Sequence, residues 1–69
     1  PINDYEILVS KEQEYAMPLN KKIDVKINNH KLKVVGYYNN ILGNYTNDYL
    51  CNNNTILQSP SLPCHHSFE

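Results

Sequence analysis

The clearest pattern in the chain lies between Lys22 and Tyr38. Ile23, Val25 and Ile27 alternate with Asp24 and Lys26; after Asn28-Asn29, Leu32, Val34 and Gly36 alternate with Lys31, Lys33 and Val35. Period-two patterning on both sides of an asparagine turn predicts a β-hairpin over 22–38, with one face apolar and the other wetted by charge. Asn28 and Asn29 suit the two positive-φ positions of a type I′ turn. Gly36 inside the second strand predicts a bulge or a sharp bend. Upstream, Glu6-Ile7-Leu8-Val9-Ser10 is a short apolar run with β-branched residues at Ile7 and Val9, and predicts a buried strand. Ser10 then stands as the N-cap of a two-turn helix over 11–17, with Gln13 at the capping-box spacing and Pro18 ending it. After Tyr38 the signal weakens. Residues 48–51 suggest a further short strand, 52–54 a turn, and 55–58 the start of a short helix or a strand. Pro60 and Pro63 make 59–63 extended, opening a tail that runs to Glu69. These elements predict a mainly β, small α+β fold arranged as a barrel-like lobe.

Composition narrows the reading. Sixty-nine residues allow one small domain, or an excised fragment of a larger one, and at this length stability is marginal without a staple or a partner. The first residue is proline and no initiator methionine precedes it, as expected of a mature piece or an excised segment. Six lysines, no arginine and a net charge of −1 argue against nucleic acid, whose phosphates and base edges call for clustered positive charge and arginine. The longest apolar run, 34–38, is far short of the roughly 20 residues that span a bilayer. No signal-peptide pattern opens the chain. Eleven asparagines point to many loops, since asparagine bonds nearby backbone and tolerates left-handed conformations.

The first half resembles a known family. Asn3, Asp4 and Glu6 opening a strand, a short helix, Ile23 and Val25 in the middle segment, and Val34-Val35-Gly36 closing the hairpin look like the extracytoplasmic domain of FtsX/MacB-like ABC transporter permeases. The likeness covers 1–38 and extends more weakly through Asp48-Tyr49-Leu50 and Asn54-Thr55-Ile56-Leu57. It departs at Lys21-Lys22, where the family often carries glycine-aspartate, and in 59–69. The resemblance implies a non-enzymatic lobe on the extracytoplasmic face of the cell membrane. Its partners would be the rest of the permease, an ATPase subunit, and peptide, lipoprotein or protein cargo. It carries no catalytic residue and no cofactor.

Read for chemistry, the chain offers little. Cys51 and Cys64 would close a loop of about a dozen residues if they met as a disulfide in an oxidising compartment, adding roughly 3 kcal/mol; two unbonded thiols are the alternative. Cys51, Cys64, His65, His66 and His30 are zinc-type ligands, but no Cys-x-x-Cys or His-x-x-x-His pair pre-forms half a site. Ser59, Ser61 and Ser67 sit in no nucleophile-elbow frame, and Glu12 and Glu14 are two apart. Asn44-Tyr45-Thr46 and Asn53-Asn54-Thr55 match glycosylation sequons, which matter only in a eukaryotic secretory pathway. Tyr37, Tyr38, Tyr45 and Tyr49 are either an amphipathic contact patch or the completion of a small core. Tyr37 and Tyr38, being adjacent on a strand, should face opposite ways. An unpaired hairpin edge could also recruit a second copy. The rival to the permease lobe is a free-standing small secreted binding protein, stapled by Cys51–Cys64 and acting through its tyrosines.

Overall fold

The computed structural model describes residues 2–39, 49–58 and the strand 64–66. Among the described residues the strands are β1 (Glu6–Ser10), β2 (Lys22–Ile27), β3 (His30–Tyr38), β4 (Tyr49–Cys51) and β5 (Cys64–His66), with one α-helix, α1 (Asn53–Gln58). They form one mixed sheet in the order β2-β3-β1-β4-β5. The small, mainly β α+β class is therefore what the chain adopts. Among the described residues the sheet is open: β2 and β5 each have a neighbour on one side only, so the barrel-like closure does not form.

The hairpin forms as its pattern dictates. Asn28 and Asn29 take φ of 51° and 68°, the two left-handed positions of a tight turn, and Ile27 pairs with His30 across it. Ile23, Ile27, Leu32 and Val34 point inward and join Ile7, Val9 and Cys51 in one buried core. Tyr5, Met17, Val25, Tyr37, Tyr49 and Ile56 close its margins.

β1 runs parallel to β3, and the ladder between them carries a bulge. Ile7 pairs with Val34 but Leu8 pairs with Gly36, leaving Val35 without a partner on β1. The extra residue switches which parity faces inward. Val34 and Tyr37, three apart, lie on the same side of the sheet, where strict alternation would have placed Gly36 inward instead. Gly36 is required by proximity, since a Cβ there would stand 2.8 Å from Leu8 Cδ2. Alanine needs only the end of the Leu8 side chain to give way, whereas a β-branched residue pushes the whole chain aside. Gly36→Val is expected to cost about 1–3 kcal/mol and Gly36→Ala clearly less, checked by urea denaturation of both variants.

The helix expected over 11–17 is replaced by a single 3-10 turn, Lys11–Gln13, followed by reverse turns. Ser10 is wholly buried at the end of β1, and its side chain makes no capping bond. Ala16 and Met17 both donate to the Gln13 carbonyl, so the chain curls back and sets Met17 against the core. Two turns without a cap do not sustain an α-helix. The α-helix of the structure is α1, which links β4 to the parallel strand β5 as a short crossover. β5 makes three residues of the expected tail part of the sheet.

Candidate functional site

Two clusters of polar side chains stand out, and they differ in kind. The first lies where the chain enters β1. Asp4 accepts hydrogen bonds from Asn52 Nδ2 at 2.6 Å and from Asn54 Nδ2 at 2.9 Å, one on each carboxylate oxygen. Asn52 is the N-cap of α1, its Oδ1 accepting from the Thr55 N–H at 2.8 Å. Thr55 is fully buried, and its Oγ1 accepts the Tyr5 N–H at 3.1 Å. The Tyr5 hydroxyl donates to Gln58 Oε1 at 2.8 Å, and its ring stacks on His30 with centroids 4.3 Å apart and planes at 14°. The Tyr5 carbonyl accepts from Lys33 N–H. Tyr5 itself has φ of 62°, a left-handed conformation that a tyrosine adopts only when its surroundings fix it.

This arrangement is a fastening. Asp4 is engaged on both carboxylate oxygens, and among the described residues no nucleophile–base pair is assembled around it. It ties residues 3–6 to α1 and β3. Asn52→Ala removes the cap and one of Asp4's two partners together, and is expected to cost about 1–2 kcal/mol of stability in a urea titration.

The second cluster is electrostatic. Between residues 21 and 33 the chain carries five lysines and one acid, Asp24, for a local charge of +4; everything outside carries one lysine and six acids. In the sheet Lys22 pairs directly with Lys33, and Lys26 with Lys31. Like charges directly opposite one another destabilise a ladder. An ideal register about the Asn28-Asn29 turn would have set Asp24 opposite Lys33. A shift between Lys22 and Lys26 removes that attractive pair and puts a lysine in its place. Asp24 instead lies 3.6 Å from Lys31 Nζ, with its own side chain 99% exposed, a contact worth little in water. Lys22, Lys26 and Lys31 are exposed and Lys33 half-buried, on the side of the hairpin away from the core.

The residues singled out from sequence are dispersed. Tyr37 and Tyr49 pack on the core face, and the Tyr37 hydroxyl donates to the Met17 carbonyl at 2.7 Å. Tyr38 is half-buried at the opposite-facing position beside Ser10, and Tyr45 lies outside the described residues. Tyr37, Tyr38 and Tyr49 therefore do not form one exposed patch. Cys51 is fully buried on β4, where its register partner is His66; Cys64 is opposite Tyr49. That diagonal relation sets the two cysteine Cα atoms about 8 Å apart from strand rise and spacing. A disulfide between them would need the backbone to move. Among the described residues no three His, Cys, Asp or Glu side chains gather as metal ligands, and no helix is long and apolar enough to cross a membrane. No known family model matches the chain, and no curated protein or solved structure does so either.

Proposed function

We propose that this chain is a non-enzymatic lobe that works by contact, on the extracytoplasmic side of a membrane, as part of an FtsX/MacB-like ABC transporter permease. In this role it couples ATPase-driven motion of the membrane part to peptide, lipoprotein or protein partners. The observation that supports it most is the fastening of residues 3–6. The Asn3-Asp4-x-Glu6 motif on which the resemblance rests is bound through Asp4 and Tyr5 to α1 and β3, and Asn3 N–H is held by Glu6 Oε1 at 3.0 Å. A lobe that passes on a displacement needs a stiff joint at the point where the chain joins its sheet, and side chains used as fasteners are not available as reactants. The free-standing secreted protein has less in its favour, because the β4–β5 register does not set up the Cys51–Cys64 staple on which it depends.

The test is the full-length gene product. The proposal expects long apolar helices on both sides of this segment and co-purification with a nucleotide-binding subunit. A cleavable signal directly upstream with termination shortly after Glu69 would overturn it.

A further inference from the structure

We propose that the outer face of the β2–β3 hairpin is a membrane-contact surface, which seats the domain on anionic lipid headgroups through Lys22, Lys26, Lys31 and Lys33. The inference takes its setting from the membrane-lobe reading above; the surface itself is argued from charge and register.

Lysines on an edge strand have an ordinary explanation, since charge there discourages pairing with other chains. That explanation covers Lys22 and Lys26 on β2. It does not cover Lys31 and Lys33, which lie on β3, an interior strand flanked by β2 and β1. Nor does it explain the register shift that sets Lys22 rather than Asp24 opposite Lys33. The shift thus sets Lys22 against Lys33, while Asp24 stays beside Lys31 at 3.6 Å, so the hairpin surface carries four lysines to one carboxylate.

The chemistry of the face selects the occupant. All its cations are lysines, and the chain has no arginine. Ammonium groups on flexible stems act as point charges and offer no planar fork for a discrete carboxylate or phosphate. Set out on two adjacent strands, they make a cationic patch on one face of the hairpin. A sheet of laterally mobile anionic headgroups can adapt to such a patch, and each lysine brought to it strengthens partitioning about fivefold. The excess of acids over the rest of the chain orients the molecule with the hairpin toward a negative surface.

The test measures partitioning of the 69-residue chain onto vesicles of phosphatidylglycerol mixed with phosphatidylcholine, against vesicles of phosphatidylcholine alone. In about 0.02 M salt, where screening is weak, binding to the anionic vesicles is expected to be at least about tenfold stronger. It should be lost near 0.5 M salt. Lys26→Glu with Lys31→Glu, exposed positions whose variant is first shown to be folded by circular dichroism, should lower binding at least about tenfold. Lys11→Glu, outside the hairpin, should change it by less than about twofold. Single Lys26→Glu gives a second readout, because opposing Lys31 with a carboxylate should raise the melting temperature while weakening vesicle binding. Equal binding to neutral vesicles, salt-insensitive binding, full binding by the double variant, or binding to soluble polyphosphate as tight as to the vesicles would each overturn the proposal. So would a melting temperature that rises with Lys26→Glu in a protein that binds no vesicle. None of these results depends on the flanking sequence, so this proposal and the permease reading fail separately.

Discussion

Leu32→Ala is expected to lower the melting temperature by at least about 10 °C and to leave a large share of the chain unfolded at 37 °C. Leu32 is wholly buried on β3, the strand lying between β2 and β1, and it packs among Ile7, Ile23, Ile27 and Val34. Truncating a leucine in such a place costs about 2–5 kcal/mol, from lost transfer energy and from the cavity left behind. A domain of this size has only about 3–10 kcal/mol to lose. Lys31→Ala and Lys33→Ala, the immediate neighbours on the outer face, should each change stability by less than about 1 kcal/mol. Thermal melts followed by circular dichroism decide the matter. A Leu32→Ala variant that melts within about 3 °C of the parent would mean that the hairpin buries its other face.

The second large effect is at Tyr5, where the variants have a definite order. Tyr5→Phe loses the hydroxyl bond to Gln58 but keeps the ring on His30 and against the core, and should cost about 1 kcal/mol. Tyr5→Ala loses the ring as well and keeps the unfavourable φ of 62°, for a cost of about 2–4 kcal/mol. Tyr5→Gly loses the same contacts but relieves the left-handed conformation, and should recover about 1 kcal/mol relative to alanine. Urea titrations of the three should therefore rank Phe, Gly and Ala in decreasing stability. Alanine equal to or above glycine would refute the strained geometry. Phenylalanine as damaging as alanine would give the anchoring role to the hydroxyl instead of the ring.

The sequence was most legible where structure is local. Ile23 to Val34 announced the hairpin because period-two alternation and an Asn-Asn turn are short-range features, and the turn φ values bear this out. Gly36 signalled a bulge and Val35 supplies it, but its effect on facing could not be read, because that depends on Leu8 and Val9 across the parallel ladder. The helix over 11–17 failed because a capping-box spacing says nothing about whether the serine is buried at the end of a strand. Pairing of β1 with β3, and of β4 with β5, was invisible for the same reason: partner choice between separated strands leaves no local mark.

The candidate surfaces divide along similar lines. Asp4 belongs to the Asn3-Asp4-x-Glu6 motif, yet its role rests on Asn52 and Asn54, 48 and 50 positions away. Alternation alone marks the lysines as the wetted face of the hairpin. The ideal register already sets Lys26 against Lys31; the Lys22–Lys33 pair comes from a register shift, where alternation alone would place Asp24 against Lys33. The tyrosines drew attention by abundance, and the strands divided them between faces.

In the function proposed above, this domain stands on the outer side of a membrane and acts there by contact. Tyr15 is 96% exposed, so a cysteine in its place gives a reporter that does not disturb the core. The most direct measurement is labelling of the Tyr15→Cys variant of the full-length protein in intact cells with a membrane-impermeant maleimide, scored above the background of the parent protein. The account predicts labelling in intact cells as complete as in lysed ones. A variant labelled only after lysis would place the domain in the cytoplasm and contradict it.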